Sequence, residues 1–242
     1  MRIFRTPPYC DVKELLDTPG EVGAHDLECT LRDIRRANIF GLGTWVVKRH
    51  LSWLLRDHPR DEPVRILDLA TGSADIPQAI CRWGMREGFD ISFVATDISP
   101  AILRVARQRM ESAGLGDRVS VVACDATHPP FKDDEFDVVV CSLAFHHLDP
   151  CRVQAVMRQM QRIGRKGFIV NDIYRSQGAW YMAWFLAHFT TTNRLTRHDG
   201  PASVLRAYTP AELHRLSRLA GVRASVYKHP FWRMAAVEVR KT

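Results

Sequence analysis

Three aspartates, each at or just after the end of an apolar run, are the residues of this sequence best placed to bind a ligand. Asp68 interrupts the run 65–69, which reads as a buried strand, and is followed by a turn of small residues at 70–74. Asp97 ends the next such run and Asp125 follows the third. A strand that feeds a small-residue turn and then a helix places backbone N–H groups beside a ligand.

Two of these carboxylates suit parts of a nucleotide. An acid at Asp97, about 20 residues past the turn, can bind two ribose hydroxyls. Asp125 can accept a hydrogen bond from an adenine amino group. The turn itself lacks G-x-G-x-x-G spacing, which argues against a nicotinamide dehydrogenase. These positions together predict a cofactor pocket.

The elements that position these residues alternate regularly. Strand-like runs lie at 65–69, 92–96, 119–123, 136–142 and 167–171, and helix-like runs at 24–39, 44–57, 74–87, 100–112 and 150–163. Such alternation predicts a parallel sheet covered by helices on both faces.

The C-terminal part has a different pattern. A capping box at 209–212 opens a helix that ends at Gly221, and runs at 223–227 and 234–240 read as an antiparallel hairpin. The predicted fold is therefore a Rossmann-like doubly wound α/β sheet of about seven strands, with N-terminal helices and a helical lid. Residues 1–20 read as loop, with one or two helical turns within 12–16.

The composition indicates a globular protein and argues against a disulfide-rich, metal-binding or membrane-spanning one. The 242 residues carry a formal net charge of +7 and six cysteines, none in a C-x-x-C pair. We therefore predict neither a disulfide framework nor a metal site. The longest apolar stretch, 178–189, is shorter than the roughly 20 residues of a membrane span, and no signal region is evident. By default these features predict a cytoplasmic protein without a membrane span.

Four stretches in this order resemble the class I S-adenosylmethionine-dependent methyltransferases, especially the ubiquinone/menaquinone-biosynthesis-type and related small-molecule enzymes. They are the turn after Asp68, the acid at Asp97, the Cys124–Ala126 stretch, and the run 136–148. The family's turn usually carries three glycines. Here Ala70 and Ala74 replace two, which we expect to be tolerated where φ is negative.

The resemblance implies S-adenosylmethionine as cofactor and assigns its contacts. Asp68 would meet the methionine amino group, Asp97 the ribose hydroxyls and Asp125 the adenine amino group. The remaining implied cofactor-binding residues are Ala70, Thr71, Gly72, Ile98, Ala126, Ser142 and Leu143.

His146 and His147 are the candidate catalytic residues. A histidine can take a proton from a phenol or an acidic carbon near pH 7 while that acceptor attacks the methyl group. Two alternatives stay open. Methyl transfer can proceed by orientation alone, and in the resembled family a His-His-Leu loop packs beneath the cofactor.

The segment at about 174–208 is rich in aromatic residues and is the expected acceptor lid. Aromatic side chains favour a flat or apolar acceptor. An amphipathic helix packed on the core would have the same composition, so that alternative stays open. The candidate substrate-binding residues are Tyr174, Trp180, Trp184, His198 and Arg206.

The sequence thus predicts a helical cap at 1–60 and a methyltransferase domain at 61–242. The expected function is methyl transfer to oxygen or carbon of a small phenolic, polyketide or quinone-like acceptor. The alternatives are an RNA methyltransferase and a non-catalytic S-adenosylmethionine-binding protein. Against RNA as partner, the fourth strand lacks the Asn/Asp-Pro-Pro-Tyr/Phe stretch and no RNA-binding module is evident.

Overall fold

A seven-stranded sheet organises the chain. The computed structural model describes residues 6–17 and 22–240, so Pro19 and Gly20 of the predicted N-terminal loop lie outside the described residues. The strands are β1 Val64–Leu69, β2 Ile91–Asp97, β3 Val119–Ala123, β4 Phe136–Ser142, β5 Gly164–Ile173, β6 Ser225–His229 and β7 Arg233–Val239. Their order is β3-β2-β1-β4-β5-β7-β6.

Strands β1 to β5 pair in parallel, and β7 is antiparallel to both β5 and β6. The predicted sheet and its closing hairpin are confirmed. The strand order reverses between β1 and β4, which is where open α/β sheets bind ligands beyond their carboxyl ends.

Eight helices surround the sheet in the described chain. They are α1 Ala24–Phe40, α2 Gly43–Leu54, α3 Asp75–Glu87, α4 Pro100–Ser112, α5 Pro150–Ile163, α6 Gln177–Thr190, α7 Arg194–Arg206 and α8 Pro210–Leu219. Helix α2 ends three residues before the predicted Asp57. Residues 55–57 form a turn instead, and Pro59 disfavours any further helical backbone at His58.

Two cores lie on opposite faces of the sheet. Ile66 packs with residues of α2 and α3 on one face, whereas its neighbour Leu67 packs with residues of α5 and α8 on the other. Successive strand residues point to opposite faces, so a strand buried on both sides is apolar at nearly every position. This burial explains the continuous apolar runs of the sequence.

The segment 6–17 lies across α7. The backbone N–H groups of Leu15 and Leu16 donate to the Asp199 carboxylate at 2.8 and 3.1 Å, next to a 3₁₀ turn at Leu15–Asp17. Arg175, which is buried, also donates to the carbonyl of Pro7 at 3.1 Å. Residues 6–17 are thereby fixed against α7 and Arg175.

Helix α6 presents an apolar surface to solvent. Its small residues Ala179 and Ala187 are buried, while six large apolar residues are at least 39% exposed. They are Tyr181, Met182, Trp184, Phe185, Leu186 and Phe189. Within the described part of the chain, every helix is too short or too polar to cross a membrane.

Candidate active site

The predicted cofactor residues meet at the carboxyl edge of the sheet, beside the point of strand reversal. Asp68 pairs in register with Ala95 of β2, and Asp97 pairs with Ala123 of β3. Three neighbouring strands therefore bring their terminal acids to one edge, as the sequence predicted.

The turn after β1 uses left-handed backbone at three alternate residues. Ala70 and Ala74 have φ of 56° and Gly72 has φ of 57°. The condition under which alanine is expected to be tolerated, a negative φ, is therefore not met at these two positions. The Thr71 N–H donates to the Thr96 carbonyl at 2.7 Å, and such cross-strand bonding holds the turn although left-handed backbone costs an alanine about 1 kcal/mol.

Asp68 is a buried carboxylate with one oxygen left over. Its Oδ2 accepts a 2.6 Å hydrogen bond from the Thr71 hydroxyl, whereas Oδ1 has no partner among the described residues. Burial raises the pKa of Asp68 to about 7, with further increases from Asp75 and Asp97 and a decrease from the Thr71 hydrogen bond. An unpartnered buried carboxylate oxygen fits a ligand ammonium group, which would satisfy it and favour the ionised form.

Asp97 connects the turn to the start of α4. Its two carboxylate oxygens accept hydrogen bonds from the N–H groups of Gly72 at 3.1 Å and Ser99 at 3.0 Å. Burial raises the pKa of this carboxyl, although the backbone hydrogen bonds oppose the increase. Next to it, Ile98 is 67% exposed, an apolar surface on which a flat ring can lie.

Asp125 is held in an ionised form at the end of β3. Its Oδ1 accepts hydrogen bonds from the N–H and the hydroxyl of Thr127, both at 2.8 Å. The hydrogen bond from the Thr127 N–H is the main reason that the pKa of Asp125 lies below its ordinary value. Its Oδ2 lies 3.7 Å from Arg152, and Ala126 packs at the margin of the core.

The end of β4 turns sharply at Leu143, whose φ is 54°. Its N–H donates to the Asn171 carbonyl at 2.8 Å, and the Asn171 amide donates to the Ser142 hydroxyl at 3.4 Å. Asn171 is fully buried and its Oδ1 has no partner among the described residues. The β4 and β5 ends thus offer a second unsatisfied polar atom to a ligand.

The two histidines have different environments. His146 is buried, and its Nδ1 lies 2.7 Å from Asp172 Oδ1, while its backbone N–H donates to Asp172 Oδ2 at 3.2 Å. Burial alone would raise the pKa of Asp172, but the charge and hydrogen bond of His146 outweigh it and hold the pKa low. The His147 side chain is 26% exposed, so it is the more accessible imidazole.

Glu14 joins both histidines from the other end of the chain. Its Oε1 lies 3.9 Å from His146 Nε2 and 3.7 Å from His147 Nδ1. The same oxygen accepts a hydrogen bond from the Ser203 hydroxyl at 2.9 Å. We call Glu14, His146, His147 and Asp172 the histidine cluster. Sequence reasoning missed both of its carboxylates, since each lies in an unremarkable local pattern.

The predicted substrate-binding residues do not all lie at one site. Arg206 reaches the histidine cluster, where it donates to the His147 carbonyl at 3.2 Å. His198 instead lies 2.8 Å from Asp199, and Trp184 stacks on His188 at the exposed surface of α6. Tyr174 is partly buried against the core, and Trp180 packs edge-on against Tyr181.

Comparison with known proteins identifies the central domain. Residues 66–167 match the family model described as a methyltransferase domain. A ubiquinone/menaquinone biosynthesis C-methyltransferase of Xylella fastidiosa (strain M23) is 34% identical over 103 residues, which are 43% of this chain and 39% of the relative. That of Xanthomonas oryzae pv. oryzae is 33% identical over 120 residues, 50% of this chain and 44% of the relative. The chain spans about two fifths of the length of these relatives.

Solved structures share the fold. Magnesium protoporphyrin IX methyltransferase from Synechocystis, with bound S-adenosylhomocysteine, has a TM-score of 0.56 at 15% identity, and the match covers 82% of this chain and 84% of that one. A SAM-dependent methyltransferase from Aquifex aeolicus has a TM-score of 0.54 at 17% identity, covering 77% and 87%. At these identities the likeness concerns the fold alone.

Proposed function

We propose that this chain, which carries a class I S-adenosylmethionine-dependent methyltransferase domain, transfers a methyl group to oxygen or carbon of a small aromatic acceptor. Phenolic, polyketide and quinone-like molecules are the acceptor classes. S-adenosylmethionine supplies an electrophilic methyl group on its sulfonium. The observation that carries the proposal is the unpartnered, buried Asp68 Oδ1 beside a turn that ends at the start of a helix.

We assign the contacts with the cofactor from the chemistry of each side chain. Asp68 accepts from the methionine amino group, Asp97 from the ribose hydroxyls, and Asp125 from the adenine amino group. The turn residues Ala70, Thr71 and Gly72 line the methionine and ribose side. Ile98 and Ala126 border the adenine, and Ser142 and Leu143 lie beneath the sulfonium.

The acceptor end is assigned to the histidine cluster. His147 accepts the proton of an acceptor hydroxyl, because its imidazole is accessible and its Nδ1 lies 3.7 Å from the Glu14 carboxylate. His146, fixed by Asp172, positions its neighbour through their ring contact of 4.2 Å between centroids. The lid aromatics Tyr174, Trp180 and Trp184, with His198 and Arg206, shape the acceptor pocket. The name of the curated relatives supports a quinone-like ring.

The test is transfer of a labelled methyl group from S-adenosylmethionine to a panel of phenols, polyketide-like aromatics and quinols. We expect His147→Gln to lower kcat by about 100-fold while the Kd for S-adenosylmethionine, measured by calorimetry, stays unchanged. His214→Gln, which alters an exposed histidine on α8, is the matched control. Failure of the protein to bind S-adenosylmethionine would refute the proposal, and equal activity of the His147 and control variants would refute the role of His147.

A second candidate, RNA methylation, is favoured by one surface. A groove of about 1060 Å³ outside the cofactor edge is lined by basic and aromatic residues, and none of the described residues that line it is acidic. They are Lys48, Arg49, Arg56 and Lys228 with Trp45, Trp53, Trp83 and Tyr227. Aromatic rings on which bases can stack, placed among cations, suit single-stranded nucleic acid. Labelled methyl transfer to unstructured RNA, lost in Lys48→Glu, would support this candidate over the first.

A further inference from the structure

We propose that Glu14, His146 and His147 form a binding site for a divalent transition-metal ion. One ligand atom from each of the three side chains lies within 4.8 Å of the other two. Glu14 Oε1 lies 3.9 Å from His146 Nε2 and 3.7 Å from His147 Nδ1. Two atoms bonded to one zinc ion at about 2.1 Å lie roughly 3.4 Å apart. Closing onto an ion therefore shortens the two Glu14 distances by about 0.3–0.5 Å and the distance between the two imidazole nitrogens by at most about 1.4 Å.

Asp172 orients the site from behind. Its Oδ1 lies 2.7 Å from His146 Nδ1, so the ring donates there and keeps the lone pair of Nε2 directed toward Glu14. Histidine ligands of metals almost always make this hydrogen bond to a carboxylate or carbonyl, which fixes the tautomer and raises the basicity of the ligating nitrogen. Asp172 itself is fixed by the backbone N–H groups of His146 and Ile173.

The charge balance leaves room for a cation. The carboxylates of Glu14 and Asp172 are both buried, and that of Asp11 lies 3.6 Å from Arg206. Arg206 Nη1 lies 3.8 Å from Glu14 Oε1, and the buried guanidinium of Arg233 acts electrostatically on Asp172. Three carboxylates, of which Asp11 is 69% exposed, and two guanidiniums leave one net negative charge when the imidazoles are neutral. A divalent ion compensates this excess in a poorly solvated place.

The ligand set selects the class of ion. Two imidazoles and one carboxylate suit Zn²⁺, Co²⁺, Mn²⁺ or Fe²⁺, whereas Mg²⁺ and Ca²⁺ prefer oxygen ligands throughout. Three protein ligands also leave a position open. If the proposed function holds, an acceptor hydroxyl occupies that position. The ion would then lower the pKa of the hydroxyl. Its proton would pass to solvent in the metal-loaded protein, whereas His147 accepts it in the metal-free protein.

Metal binding by the whole chain tests the site without any need for activity. Protein freed of metal with a chelator is titrated with Co²⁺, followed by visible absorption, and with Zn²⁺ and Mg²⁺, followed by calorimetry. We expect one Co²⁺ or Zn²⁺ per chain at this site and no heat with Mg²⁺. Glu14→Gln and His147→Gln should each weaken binding by at least about tenfold, the lower bound for disturbing even an outer partner of a metal ligand.

Two matched histidine controls locate the ion. His214→Gln removes an exposed histidine, and His229→Gln breaks a separate pair in which the Nε2 atoms of His50 and His229 lie 2.9 Å apart. Neither should change the affinity. Circular dichroism of the metal-free variants checks folding, and His147→Gln decides the question if Glu14→Gln unfolds. Absence of Co²⁺ and Zn²⁺ binding, unchanged binding in His147→Gln, or loss of binding in His229→Gln overturns the proposal. Calorimetry with S-adenosylmethionine, run in parallel, reports separately on the proposed function.

Discussion

The side chain of Asp68 couples the stability of the fold to protons. Burial raises its pKa to about 7, well above the ordinary value of about 3.9 that applies when the chain is unfolded. The folded protein therefore holds a proton that the unfolded chain has released, and its free energy of unfolding falls as the pH rises from about 4 to about 7. A ligand ammonium beside the carboxylate would reverse this effect.

We therefore expect S-adenosylmethionine to bind roughly sevenfold more weakly at about pH 6 than at about pH 7.2, the ratio of ionised Asp68 at a pKa of about 7. Calorimetry in buffers of different ionisation enthalpy should detect proton release on binding. Asp68→Asn should bind more weakly and lose most of this pH dependence. A wild-type affinity that is flat over this range would contradict the assignment of the amino group to Asp68.

Ala70 tests the backbone of the turn. Because its φ is 56°, a β-branched side chain should fit badly there, whereas glycine should fit well. We expect Ala70→Val to destabilise the protein by about 1–3 kcal/mol and Ala70→Gly to change the free energy of unfolding by less than about 1 kcal/mol. Urea unfolding measures both. Equal stability of the two variants would indicate that φ at Ala70 is negative.

At the scale of elements, α3 approaches β2 closely through Gly84. A methyl group added at Gly84 would lie 2.6 Å from Ile91 Cδ1, whereas one added at Gly116 would meet nothing nearer than 4.0 Å. We expect Gly84→Ala to cost about 1–3 kcal/mol, the usual penalty for overpacking a core. Gly116→Ala is the matched control and should be close to neutral. Thermal unfolding compares them, and a tolerated Gly84→Ala would mean that α3 is free to shift.

The elements could be predicted well from sequence because each has a local signal. Buried strands such as β4 are largely apolar, and caps such as Ser99 mark helix starts. The conformation of Ala70 and Ala74 could not be predicted, because alanine carries no preference for left-handed backbone. Of the histidine cluster, only His146 and His147 could be predicted from the sequence. Glu14 and Asp172 lie 158 positions apart, and only the folded chain brings both to His146.

At the scale of the whole molecule, the formal net charge of +7 bears on the choice between acceptor classes. A small uncharged acceptor makes no phosphate contacts, whereas a nucleic acid binds through them and loses affinity steeply with salt. We expect kcat/KM for the preferred small acceptor to change less than about twofold between about 50 and 200 mM salt. RNA transfer would fall at least about tenfold. A steep decline for the natural acceptor would favour RNA.

The contact between residues 6–17 and α7 bears on the order in which the protein is completed during synthesis. Leu15 and Asp199 are 184 positions apart, so at about 5–20 residues per second the ribosome makes α7 roughly 10–40 s after it makes Leu15. A nascent chain that has reached only β5 already holds Asp68, Asp97 and Asp125. It lacks Asp199 and Ser203, so Glu14 has His146 and His147 beside it but not the α7 side chains that hold its segment. The carboxyl edge of the sheet can therefore form before residues 6–17 are fixed on α7.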